Sequence, residues 1–220
     1  MPMRALPRRP ILYPYLRGFV ASARPSDDDH TPAQPRNPMP LNTPSPHNLR
    51  INRAPVLTLW AATVAERLGF SHEEALTLGR AMAGLNAYSK GVSLGLFTPA
   101  PKEVREKRAK LRPKDTITVD LLHRAVPAVH TETGVRALSG AKPIDPEAVE
   151  RYLASKFGAD YDVASEVMLA LARSRPPAVL AREAYALYEQ FRPKVAPGVR
   201  GWGAAGTLDL EAIRRLAKRE

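Results

Sequence analysis

Hydrophobic residues fall into no periodic order until Pro55, where a helical rhythm begins abruptly. In APVLTLWAATVAERLGF, residues Val56, Leu59, Trp60, Val64 and Leu68 follow at spacings of three, one, four and four. That is one apolar stripe of a helix, and Pro55 suits its first turn, where a missing N–H costs nothing. Gly69 breaks the run and Ser71 restarts it. Glu74, three residues on, completes a capping box, and Ala75, Leu78, Met82 and Leu85 supply the second stripe. At the far end Lys90 complements the helix dipole, Asn86 and Ser89 lie in the last turn, and Gly91 is the expected left-handed stop.

The period then changes. DTITVDLL, RAVPAVHT and GVRALSG are short, rich in Thr, Val and Ile, and separated by turn residues, which predicts two or three strands of a small sheet. Pro127 should confine its segment to an edge. Helical spacing returns in IDPEAVERYLASKFG, with Asp145 as cap, Pro146 in the first turn and Gly158 as stop. DVASEVMLALARS and AVLAREAYALYEQF follow. In the latter, Leu180, Ala184, Leu187 and Phe191 make the core stripe and Arg182, Tyr185, Glu189 and Arg192 the opposite one. LDLEAIRRLAKRE predicts a short terminal helix with Asp209 near its cap. The expected fold is mainly α (α+β): about six helices with a small antiparallel β element, in one domain over residues 49–220.

Residues 1–48 resist that reading. They hold eleven prolines, which remove backbone donors and break helices, so a disordered Pro/Arg-rich tail is expected. Five Arg and no acid in the first 26 residues suit organelle import, although the early prolines spoil the amphipathic helix that import needs. The first expectation is therefore an intracellular protein of cytoplasm or nucleus, with the N-terminus an unprocessed flexible arm or the product of a misassigned start codon. Absence of cysteine excludes disulfides, Cys-ligated zinc and a thiol nucleophile. The longest apolar run, Val56 to Ala65, is about half of a membrane span.

Charge shifts the functional expectation toward polyanions. The net charge is +11, from 33 basic and 22 acidic residues. Residues 1–50 contribute +4 of it (seven Arg against three Asp), so the remainder of the chain is only moderately basic. Its densest stretch is PAPKEVREKRAKLRPK, where Lys102, Arg105, Lys107, Arg108, Lys110, Arg112 and Lys114 face two Glu. These cations surround any helix instead of marking one face, and prolines at 99, 101 and 113 bracket them. The segment reads as a solvated connector, a short surface helix or a phosphate-contacting arm. No aromatic interrupts it, so base stacking is not implied. Residues 173–200 are a second basic region, with Arg173, Arg175, Arg192, Lys194 and Arg200 as candidate contacts and Trp202 nearby.

Other motifs are weaker. The helix–Gly–capped-helix unit at 55–90 resembles a helix-turn-helix, but His72, Glu73 and Glu74 would set two carboxylates against DNA phosphates, so a plain αα-hairpin is the better reading. GVSLG at 91–95 matches a nucleophile elbow but has a helix where the strand should be. GWGAAG at 201–206 lacks the strand that a dinucleotide fingerprint requires. His123, His130 and Glu132 fit no standard metal spacing, and no metal or cofactor is expected. Asn86 and Lys90 remain as a candidate anion site. The function expected is non-catalytic nucleic-acid binding through phosphate contacts; the alternative is a helical protein-interaction module facing an acidic protein, and an enzyme comes third.

Overall fold

The helical hairpin near the start of the described residues is built around one helix with no exposed side. In the computed structural model, which describes residues 48–197, 199 and 203–218, α1 spans Arg53–Arg67. Eleven consecutive residues of it, Pro55 to Ala65, are buried. The sequence predicted a stripe; the structure shows burial all round, which is how a helix behaves at the centre of a core. Two threonines make this tolerable. Thr58 and Thr63 each donate their hydroxyl to the carbonyl four residues back, Ala54 and Leu59, both at 2.9 Å. Residues 1–47 of the expected tail, Arg200 and Trp202 lie outside the described residues, whereas Asn48, placed in the tail, begins a strand.

Helix α2 (His72–Ser93) returns antiparallel to α1 across a turn at Gly69. The two backbones approach so closely at Gly79 that a Cβ there would stand 2.5 Å from the Thr58 carbonyl oxygen and 2.7 Å from the Ala62 nitrogen. Gly91 does not stop this helix. It is helical and buried, with the Phe97 ring folded onto it, and the left-handed turn comes at Gly95 (φ +70°). The GVSLG motif is thereby spent on termination: Ser93 ends the helix and donates to the Lys90 carbonyl at 2.9 Å. A nine-residue helix α3 (Lys102–Lys110) then leads to the sheet.

Strands β2 (Ile117–Leu121), β3 (Arg124–Thr131), β4 (Gly134–Ser139) and β5 (Lys142–Pro143) form an antiparallel meander in that order. Leu122 and His123 make the first turn with φ +51° and +58°, the mirror-image geometry that two-residue hairpins favour and that Asn-Gly usually supplies. Burial of the Leu122 side chain in the core offsets that cost. Pro127 lies in the central strand β3, not at an edge. Its partner in β2 is Thr118, one of the pairs that alternate with the hydrogen-bonded ones, and the β3–β4 ladder begins only at Ala128. The missing N–H is therefore not called on by either neighbour.

The C-terminal helices α4 (Pro146–Phe157), α5 (Tyr161–Arg173) and α6 (Pro177–Phe191) close the core around α1, with a short 3-10 turn at Gly158–Asp160. Trp60, fully buried, donates its indole N–H to the Ala184 carbonyl of α6 at 2.8 Å and meets Phe191 edge-on at 5.4 Å. β1 (Asn48–Ile51) pairs antiparallel with β6 (Gly206–Asp209), joining the two ends of the described chain, and α7 (Leu210–Ala217) follows under an Asp209 cap. Among the described residues, seven α-helices with a small antiparallel meander give the mainly α, α+β fold.

The α2 N-terminus locks helices to sheet. Glu74 accepts from the Ser71 N–H at 2.8 Å with one carboxylate oxygen and from the Val135 N–H of β4 at 2.7 Å with the other. Thr77 accepts from the Ala137 N–H at 3.1 Å, and Glu73 pairs with Arg136, only 5% exposed. These groups cover the stretch of β4 edge that β5 leaves unpaired. They also tie the helix end that a helix-turn-helix would present to DNA onto β4, so the unit is an αα-hairpin.

The two backbone bonds, from Val135 first and Ser71 second, hold the Glu74 carboxyl below its usual range. A group with a depressed native pKa stabilises above its unfolded pKa of about 4.3, and the contribution disappears as pH falls through the native value. Glu74→Gln offers one acceptor for two N–H groups and should cost about 1–2 kcal/mol near neutrality. Urea titrations at pH 7 and below 4 check this: the gap between wild type and variant should close on acidification.

Candidate functional site

Helix α3 is the only α-helix of the described residues that buries nothing. Every residue from Pro101 to Arg112 is exposed. Five of its nine side chains are cationic (Lys102, Arg105, Lys107, Arg108 and Lys110) against Glu103 and Glu106, and Arg112 and Lys114 prolong the track to the sheet. Its only ion pair among the described residues is Lys102–Glu106 at 3.8 Å, fully on the surface and worth little. Isolated helices shorter than ~12–15 residues are marginal in water, so this one gains little from its own length. The structure makes this stretch a short, exposed basic helix on the surface.

The second basic region does not form one face. Arg173 and Arg175 lie before the start of α6 and Arg192 and Lys194 beyond its end, and fifteen residues of helix separate them by about 22 Å. Arg200 lies outside the described residues. Lys194 is drawn into an antiparallel bridge with Thr207.

Arg192 instead joins the two residues singled out at the end of α2. Asn86, Lys90, Tyr185, Tyr188, Glu189, Arg192 and Arg53 line a pocket of about 230 Å³ between α2, α6 and the start of α1. Asn86 is 7% exposed and accepts from the Tyr185 hydroxyl at 3.4 Å. Arg53 donates to the Pro193 carbonyl at 3.1 Å, and its own carbonyl accepts from Tyr188 at 3.4 Å. Arg192 pairs with Glu189 at 3.0 Å. Burial, then the neighbouring Glu189 charge, raises the Tyr185 pKa, so the phenol stays a hydrogen-bond donor at neutral pH. Arg124 stands beside this cluster, donating to Ser89 at 3.1 Å.

Sequence reasoning paired Asn86 with Lys90, placed Arg192 in a separate basic region and missed Arg53. The stripe Arg182, Tyr185, Glu189, Arg192 was the usable signal. Half-buried Tyr185 within it shows that part of this face is covered, not solvated. A larger cleft of about 410 Å³ opens on the outer side of α2, where Arg80, Tyr88 and Arg112 meet Leu138 and Ile144. The histidines serve structure or surface: His123 contacts the Arg182 carbonyl at 2.8 Å and holds the first hairpin against α6, while His130 is exposed. Among the described residues no cluster of His, Asp and Glu could hold a metal ion, and no helix is long and apolar enough to cross a membrane. Comparisons with protein-family models, curated proteins and solved structures find no match to this chain.

Because α3 supports nothing, breaking it should leave the fold intact. Glu106→Pro should change unfolding free energy by no more than about 0.5 kcal/mol, whereas Ala62→Pro in α1 should cost about 3 kcal/mol or more. Chemical denaturation of both variants decides whether the arm is independent of the core.

Proposed function

We propose that this chain is a non-catalytic nucleic-acid-binding protein that grips the phosphate backbone through the arm from Lys102 to Lys114. The supporting observation is the helix that buries no residue while presenting five cations, followed closely by two more. A segment with no packing role and charges on all sides suits a partner that surrounds it with negative charge, as a groove or a folded strand does. Such contacts position the protein without reading sequence. Arg80 and Arg112 in the neighbouring cleft extend the basic track onto the body.

A protein partner is the second reading. It is favoured by Leu94, Leu96, Phe97 and Leu111, all exposed by half or more around the same arm. The two readings differ in their response to salt.

Fluorescence anisotropy with labelled duplex DNA, single-stranded DNA and RNA tests the first. Full-length wild type is compared with a variant carrying Gln at positions 105, 107, 108, 110, 112 and 114, so that the tail arginines stay constant. Binding of the wild type should weaken steeply between about 50 and 200 mM salt, and each lost duplex contact should reduce the log–log slope by about 0.9. An unchanged slope in the variant, or no binding at low salt, rejects the proposal. Failure there together with salt-insensitive binding of a protein partner, lost on substituting Leu94, Leu96 and Leu111 by Ser, supports the second reading.

A further inference from the structure

The structure points to a second site, unconnected with the arm: we infer that the pocket between the end of α2 and α6 binds a small oxyanion, a phosphate or carboxylate group. Three cations (Arg53, Lys90 and Arg192) line it against one carboxylate, Glu189, with Arg124 close behind. Gathering like charges around a small cavity is unfavourable unless an anion is held among them. Glu189 answers Arg192 and the Pro193 carbonyl answers Arg53, which fixes both guanidinium groups in place. Lys90 has no ion-pair partner among the described residues and stands exposed at the rim, free to close on a ligand.

The buried amide gives the pocket its direction. Asn86 is more than nine-tenths buried, and its carbonyl end is met by the Tyr185 hydroxyl. The NH2 end meets no acceptor among the described residues. Its nitrogen is not fully enclosed, so it opens on the pocket that Asn86 lines and is available to an acceptor entering there. An amide NH2, an ammonium and guanidinium groups lining one small pocket are the donor set of an oxyanion site, with the Tyr185 hydroxyl holding the amide in place. At about 230 Å³ the pocket lies below the range of about 300–1,000 Å³ for drug-sized ligands, so it suits one head group and not a polymer strand.

NMR titration of the full-length, 15N-labelled protein tests this, with inorganic phosphate in one series and acetate in the other. The side-chain NH2 resonances of Asn86 are the readout. In one or both series they should shift and saturate with a dissociation constant of about 1 mM or tighter. Saturation by phosphate alone identifies a phosphoryl ligand, and by acetate alone a carboxylate. Lys90→Gln, an exposed position with no packing role, should weaken binding about tenfold or more. Asn86→Asp should abolish it, and should that buried change prevent folding, Lys90→Gln decides. The arm-neutralised variant should bind as the wild type does, which separates this site from phosphate contacts along α3. Shifts that stay linear to about 10 mM with both anions, or saturable binding that Lys90→Gln leaves unchanged, overturn the inference.

Discussion

Everything in this fold follows from the need to cover α1 on every side. Eleven consecutive buried residues cannot be satisfied by one neighbour, and α1 accordingly meets α2, α4, α5 and α6. The polar atoms that enter with it are answered locally, by Thr58 and Thr63 bonding back to their own helix and by Trp60 reaching a carbonyl of α6. The close passage at Gly79 belongs to the same requirement, since small residues let α2 lie flush on α1. Around this axis the sheet is an addition. It is held at the α2 N-terminus by Glu73, Glu74 and Thr77, which take the place of a further strand along β4.

That arrangement divides the labour of α2. Its first turn is tied to β4 through Glu73 and Glu74, although Ser71, His72 and Glu73 stay exposed. Its last turns emerge from the core beside α6 and hand the chain to an exposed arm. Both proposals draw on this end of the molecule, and they ask for different chemistry: distributed charge on α3 for a polymer, convergent donors at Asn86 and Lys90 for a single group. The stretch from residue 84 to 97, GLNAYSKGVSLGLF, therefore serves two purposes. It terminates a helix, with Phe97 laid over Gly91 and stacked on Tyr88 at 6.3 Å, and it furnishes one wall of a pocket.

Local signals were the legible ones. The capping box at Ser71, the caps at Asp145 and Asp209, the period change at Thr116 and the helical stripes of α4 to α6 are each written within a few residues. Features made by distant partners were not. β1 and β6 are four residues each and pair across almost the whole described chain, with nothing local to mark either. Pro127 misled because its tolerance depends on where the neighbouring ladder begins, and Gly91 because its small size serves a ring six residues later instead of a turn. The pocket was half legible. Asn86 and Lys90 share a helix turn, but Arg53 and Arg192 reach them only through the packing of α1 and α6.

The most direct test of this account is native-state hydrogen exchange, residue by residue, across α1 and α3. With α1 as the fully enclosed axis, its central amides from Leu59 to Val64 should exchange only through global unfolding, with the highest protection in the molecule. Amides of α3 should exchange with little protection under the same conditions. Sub-global opening of α1 ahead of α4 or α5, or protection of α3 comparable to that of the core, would contradict it.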